Sequence, residues 1–196
     1  MNIIKIQNSH NKIFFGVGYL GAGKFNNKNF PKIYCTWKSM LERCYSEKYQ
    51  EKHVAYKGCS VNKNWYNFQN FGKWYEKNYI EGFALDKDIL IKGNKIYSSR
   101  TCTFVPTIIN NLFTNRKNHR GILPVGVTKV GIKYHSALRK GGSKVHLGNF
   151  DTPEEAFHAY KTAKEQYIKE VANIWKPIIK PNVYCAMYTY QVEITD

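Results

Sequence analysis

The stretch that decides the fold is GVTKVGIKYHSALRKGGSKVHLGNF, residues 126–150, together with DTPEEAFHAYKTAKEQYIKEVANIW, residues 151–175. The first part holds three short runs of alternating apolar and polar residues, separated by Gly131 and by Gly141–Gly142. This pattern predicts a three-stranded antiparallel meander. The second part opens with Thr-Pro-Glu-Glu at 152–155, the signature of an N-cap with a capping box. We therefore expect a sheet of three strands packed on one helix.

The two faces of this predicted sheet differ in chemistry. Alternate residues of a strand point to opposite faces, so one parity packs on the helix and the other stays open. The residues expected to face the helix are Tyr134, Ser136, Leu138, Val145 and Leu147. Those expected on the open face are Thr128, His135, Ala137, Arg139, Lys144 and His146. An open face with cationic side chains suits a DNA groove, where Arg or Lys contacts guanine or phosphate.

These residues resemble the Apetala-two/ethylene-response-factor DNA-binding domain. The resemblance lies in Gly126-Val127, Lys133-Tyr134, Leu147 to Thr152, and Glu154 to Tyr160. It implies double-stranded DNA as the partner. The family's Arg and Trp readers in the sheet are largely replaced here, so its sequence preference is not carried over.

The charge of the chain is concentrated in one region. The chain has 196 residues and a net charge of +16, and residues 89–150 contain eleven Lys and Arg with no Asp or Glu. Such a stretch attracts polyanions, because each neutralised phosphate releases condensed counterions. A solvated Lys-rich surface is the alternative reading. The basic side chains we expect at DNA, beyond those of the open face, are Lys129, Lys133, Arg116, Lys117 and Arg120.

The segment before the sheet module contains a strand, a loop, a second strand and a short helix. In residues 82–113, Phe83 and Leu85 alternate with polar neighbours, TCTFV is typical of a strand, and Pro106 can open a helix. Upstream, residues 34–45 and 64–79 carry apolar residues at helical spacing and predict two amphipathic helices. GYLGAGK at 18–24 has phosphate-loop spacing but lacks the following Ser or Thr and a long helix, so we reject a nucleotide site.

Residues 34–113 are similar to phage HNH (His-metal finger) endonucleases. The similarity runs through YCTWKSMLERCY, YKGCSV, NWYNFQNFGKWY, LDKDIL and IYSSRTCTFVPTIIN. It implies that Asp86 and Asn110 bind Mg²⁺ or another divalent cation, and that Lys87 occupies the position of the family's catalytic His. Carboxylate and amide oxygens suit such a cation. A Lys between Asp86 and Asp88 is a poor base near neutral pH.

The Lys at this position leaves alternatives open. A metal-bound water can attack with help from another group, such as His53 or His119, or the nuclease site is degenerate and the protein only binds DNA. The DKD run can also be a solvated charged turn.

Five Cys is an odd number without the spacing of a disulfide scaffold, so we expect reduced thiols. Cys44, Cys59 and Cys102 stand where related proteins carry a four-Cys zinc site, but residue 62, which would supply the fourth ligand, is Asn62. Zn²⁺ on three thiolates and buried reduced cysteines are the alternatives.

The whole chain is expected to be α+β, with a ββα-metal finger nuclease-like domain followed by a three-stranded antiparallel sheet packed on one helix. The expected divisions are a nuclease-like domain at 1–113, a basic linker at 114–124, the DNA-binding domain at 125–175 and a C-terminal strand in 176–196. There is no long apolar run and no secretory signal, so we expect no membrane association. The phage resemblance implies the cytoplasm of a bacterial host. The function expected is a DNA endonuclease of phage HNH or homing type, and the alternative is a regulatory DNA-binding protein on a nuclease scaffold.

Overall fold

The computed structural model describes residues 12–113 and 122–196, and it divides the chain into two compact units, residues 1–107 and 108–196. The helices are α1 Pro31–Tyr45, α2 Glu47–Lys52, α3 Phe68–Asn78, α4 Thr107–Leu112, α5 Pro153–Trp175 and α6 Pro181–Tyr188. The strands are β1 Ser60–Val61, β2 Phe83–Asp86, β3 Ile96–Tyr97, β4 Thr103–Pro106, β5 Val127–Val130, β6 Lys133–Lys140 and β7 Ser143–Phe150. The fold is therefore mixed α+β.

The core of the first unit is aromatic. Trp37 on α1 and Phe68 on α3 are fully buried, and their ring centroids lie 5.2 Å apart. The indole N–H of Trp37 donates to the carbonyl of Trp65 at 2.7 Å, so this buried ring has its polar group paired. The prediction of an amphipathic helix at 34–45 is confirmed. The helix at 64–79 is interrupted, because Asn67 caps α3 by accepting a hydrogen bond from the backbone N–H of Gln69 at 2.9 Å.

The glycine-rich segment before α1 is held by short backbone bridges and by one buried side-chain amide. It forms an antiparallel bridge between Phe14 and Gly18 and a parallel bridge between Tyr19 and Asn67. The Gln69 side chain donates to the carbonyls of Leu20 and Phe25, at 2.9 and 2.8 Å, and accepts the N–H of Phe25 at 3.0 Å. These bonds satisfy backbone groups that a strand partner would otherwise pair.

Two small sheets complete the first unit. Strand β2 pairs antiparallel with β4, placing Asp86 opposite Thr103, and β1 pairs in parallel with β3. The predicted order of strand, strand and helix is present as β2, β4 and α4, and the border between the two units falls after Thr107, the first residue of α4.

The second unit contains the predicted meander packed on a helix. Strands β5, β6 and β7 form an antiparallel sheet in that order, and α5 contacts all three strands. Thr152 accepts a hydrogen bond from the N–H of Glu155, whose side chain accepts the N–H of Thr152, so the predicted capping box is confirmed. Ala156 is fully buried and lets the helix approach the sheet closely.

A glycine allows this close approach at the start of β5. Gly126 has a φ of +77°, and a Cβ placed on it would lie 2.0 Å from Cδ2 of Tyr160 on α5. Both the backbone conformation and the space above Gly126 therefore require glycine.

A β-bulge interrupts the alternation of β7. In the pairing of β6 with β7, Ser136 faces Gly148 while Ala137 faces His146, so Leu147 is the extra residue. The assignment of Leu147 to the helix side rested on simple alternation, which the bulge interrupts; Leu147 is half-buried, and its face stays a prediction. Ser136 and Leu138 are buried as expected, whereas Val145 is 40% exposed although it pairs with Leu138.

The C-terminal strand predicted in residues 176–196 is wrong, because the segment contains the helix α6. Pro181 stands at the first helical position, where its missing N–H costs nothing. Val183 and Met187, four residues apart, are buried on one face. Over so short a run the spacing of these apolar residues satisfies both period 2 and period 3.6, and packing decides between them.

Candidate functional site

The open face of the β5–β7 sheet collects cationic side chains. By register, residues 133, 135, 137 and 139 of β6 share this face with 128 and 130 of β5 and with 144, 146 and 149 of β7. Arg139 lies directly opposite Lys144, and both are exposed. Two cations side by side repel each other unless an anion lies between them, and DNA phosphates supply such anions.

The turn between β6 and β7 presents this pair. Gly141 and Gly142 have φ values of +58° and +87°, as a two-residue turn of type I′ requires. The tight turn brings Arg139 and Lys144 into register as the second cross-strand pair from the turn, after Lys140 and Ser143.

Other predicted DNA contacts are placed differently. Lys129 pairs with Tyr134 in register, which puts it on the helix side, and its amino group lies 6.0 Å from the centroid of that ring. Lys133 is on the open face and forms an ion pair with the exposed Asp151. Arg116, Lys117 and Arg120 lie outside the described residues.

Sequence reasoning missed two features of this face. Asn149 lies opposite His135 because the bulge at Leu147–Gly148 shifts the alternation of β7. His135 and His146 stack with ring centroids 4.2 Å apart and planes 13° apart. The Gly at position 148, with a φ of +137°, was the signal in the sequence for a bulge.

The DKD loop of the first unit fixes a carboxylate at the end of β2. The Oδ1 atom of Asp86 accepts the backbone N–H groups of Asp88 and Ile89, at 2.7 and 2.6 Å. Burial raises the pKa of this carboxyl above its ordinary value, and the nearby Asp88 adds to the rise. The two N–H bonds oppose the rise but do not cancel it.

Lys87 is a buried cation tied into the same loop. It is 6% exposed, and its amino group donates to the Asp88 carboxylate and, at 2.9 Å, to the carbonyl of Asn94. The Asn94 side chain donates back to the carbonyl of Lys87 at 2.7 Å. This amino group is therefore used as a donor inside the loop, and the DKD run is an ordered structure rather than a freely solvated turn.

The predicted metal partners Asp86 and Asn110 belong to different units. Asp86 ends β2, whereas Asn110 lies on α4 beyond the border at Thr107. Asp86 is half-buried, and its carboxylate is held by the loop that follows β2. The pairing with Asn110 stays a prediction.

The three cysteines of the predicted zinc site are buried, each 5% exposed. Burial raises the pKa of Cys44 and of Cys102 to about 12, and it raises the pKa of Cys59 as well. In the part of the chain that the structure describes, no three His, Cys, Asp or Glu side chains are arranged to hold a metal ion. The raised pKa values favour protonated thiols in the core, and Zn²⁺ at these cysteines stays a prediction.

A comparison with protein-family models, with curated proteins and with solved structures finds no match for this chain. Within residues 12–113 and 122–196, no helix combines the length and the apolar character that a membrane crossing requires.

Proposed function

We propose that this protein binds double-stranded DNA through the open face of the β5–β7 sheet. The observation that carries the proposal is the exposed Arg139–Lys144 pair, presented by a two-residue turn within a stretch that contains no acidic residue from 89 to 150. A β-ribbon of this kind has the dimensions to enter a major groove, and Arg or Lys on its face contacts guanine or phosphate.

The sheet is rigid enough to position these side chains. Strand β6 is paired on both sides, by β5 and β7, and its other face packs on α5. Lys140, one residue beyond Arg139, points to the helix side and forms an ion pair with Glu170 at 2.6 Å. The charge of Lys140 on the helix side is thus neutralised locally, whereas Arg139 and Lys144 face each other as two cations on the open side.

Binding to a DNA duplex, measured by fluorescence anisotropy at several salt concentrations, tests this proposal. Arg139→Ala and Lys144→Ala should each weaken binding by about 1–3 kcal/mol and reduce the slope of log K against log salt by about 1. The matched control is Lys140→Ala, which removes the same charge from the same ribbon on its other face. Equal losses for Lys140→Ala and Lys144→Ala would place DNA elsewhere and contradict the proposal.

A second function, metal-dependent cleavage of DNA phosphodiester bonds, is supported by Asp86. This half-buried carboxylate is oriented at the end of β2 by two backbone N–H groups, and a fixed carboxylate oxygen suits a divalent cation. Bound Mg²⁺ would neutralise charge on the scissile phosphate. Lys87 would hold Asp88 and Asn94 in place rather than act as the base, because its amino group is already bonded to both.

Plasmid nicking with Mg²⁺ or Mn²⁺ tests the cleavage proposal. The natural chain should nick, and Asp86→Ala should abolish nicking while circular dichroism shows an intact fold. If the natural chain does not nick with any divalent cation and Lys87→His does, the natural protein is a DNA-binding protein on a nuclease scaffold. That result would overturn the cleavage proposal and leave the DNA-binding proposal standing.

A further inference from the structure

Two imidazole rings lie face to face on the open side of the sheet. His135 and His146 are diagonal neighbours on β6 and β7, with ring centroids 4.2 Å apart and planes 13° apart. Parallel rings at this distance can both be neutral, whereas two imidazolium ions would repel each other strongly. The arrangement therefore favours the uncharged rings in the free protein.

The surroundings of the pair also oppose its protonation. On the same face, β6 contributes Lys133 and Arg139, and β7 contributes Lys144. The partners directly across from the two rings are the neutral Thr128, Asn149 and Ala137. The carboxylate of Asp151 is taken by Lys133.

The charged groups of the neighbouring elements named next lie on the helix side of the sheet, opposite the pair. Lys129 on β5 lies on the helix side of the sheet. Across the sheet, α5 has its Glu165 and Glu170 in ion pairs with Lys161 and Lys140. Desolvation, His146 and Lys144 all lower the pKa of His135 below its ordinary value, so at neutral pH this ring is uncharged.

We propose that the His135–His146 pair is a proton-linked DNA contact: phosphates bound at the open face draw protons from solvent onto the two rings, so DNA binds more tightly in mild acid. This inference rests on the proposed DNA-binding function of the same face. A phosphate next to the rings supplies the negative charge that the protein itself does not provide. Each protonated ring then presents two N–H donors instead of one.

The size of the effect follows from linkage. If DNA binding is accompanied by the uptake of one proton, the binding constant rises by up to about tenfold for each unit by which the pH falls. This holds in the pH window between the pKa of the ring in the free protein and its pKa in the complex. One ring responding over half a unit already gives about a threefold change, and both responding over a full unit give about a hundredfold change. The increase should occur below about pH 7, where His can take up a proton.

The test is DNA affinity of the full chain between about pH 5 and pH 8 at constant ionic strength, measured with a labelled DNA duplex. The natural chain should bind more tightly as the pH falls, and His135→Gln/His146→Gln should lose most of this slope. His158→Gln is the matched control, because His158 is exposed on α5, away from the open face, and it should keep the full slope. In NMR titrations, the ring signals of His135 should report a higher pKa with DNA than without it.

Each outcome decides one of the two proposals. If DNA binds equally well across the range, or if the double variant keeps the slope of the natural chain, the proton-linked contact is overturned and the DNA-binding function stands. If no DNA binds at any pH in this range, the DNA-binding function itself fails, and the inference fails with it. A slope that disappears in the double variant and persists in His158→Gln supports both.

Discussion

Gly126→Ala should destabilise the second unit more than a glycine substitution in a nearby turn. Gly126 has a φ of +77°, where a Cβ costs about 1–2 kcal/mol, and the added methyl would lie 2.0 Å from the Tyr160 ring. Relieving such an overlap in a packed interface costs about a further 1–3 kcal/mol. The matched control is Gly131→Ala, because Gly131 has a φ of +61° and nothing lies within 4 Å of its added Cβ.

Hydrogen exchange of the β6 amides, measured by mass spectrometry on the full chain, reports the free energy of opening of this unit. The difference of about 1–3 kcal/mol between the variants predicts exchange about 5- to 150-fold faster in Gly126→Ala than in Gly131→Ala. A double-mutant cycle isolates the overlap, since in a Tyr160→Ala background Gly126→Ala should cost no more than Gly131→Ala. Equal exchange rates in the two single variants, or an undiminished cost in the Tyr160→Ala background, would refute the reasoning that α5 rests on Gly126.

Two further predictions concern the first unit. Gln69→Leu should lower the free energy of unfolding, measured in urea, by about 2–4 kcal/mol, because it leaves three backbone groups of the glycine-rich segment unpaired. The control is Asn70→Ala, one residue further on and partly exposed, which should cost under about 1 kcal/mol. Similar losses of stability in the two variants would contradict this account. Asp86→Asn should change how the free energy of unfolding depends on pH. Because the pKa of Asp86 is raised in the folded state, ionisation of this carboxyl favours the unfolded state. The stability of the natural chain relative to Asp86→Asn should therefore fall as pH rises from about 3.5 to 6. A relative stability that rises over this range in urea titrations would show that the carboxylate is favoured by folding.

Several parts of this protein can be predicted from the sequence because the local signals agree. The capping box at Thr152, the alternation of β5 to β7 and the Gly141–Gly142 turn each act over a few residues, and together they specify three strands and a helix. The amphipathic spacing of α1 does the same in the first unit. The positive charge of residues 89–150 is also a property of the sequence.

Where local signals are ambiguous, packing decides. The tail was predicted as a strand, yet burial of Val183 and Met187 on one face selects the helix α6. The glycine-rich segment is irregular because Gln69, 44 residues from Phe25, pairs its backbone groups. No local pattern contains such long-range contacts.

The sequence by itself determined the regional charge, the sheet-and-helix module and the identity of the residues available for chemistry. The tertiary structure decided which of these residues lie next to each other. The bulge at Leu147 brings His146 over His135 and places Asn149 on the open face. The pairing of β6 with β7 sets Arg139 beside Lys144. It also decided that Lys87 is enclosed in its loop by Asp88 and Asn94. The physical reason is that charge and periodicity are properties of single residues and short runs, whereas stacking, burial and ion pairing depend on distances between segments that only folding fixes.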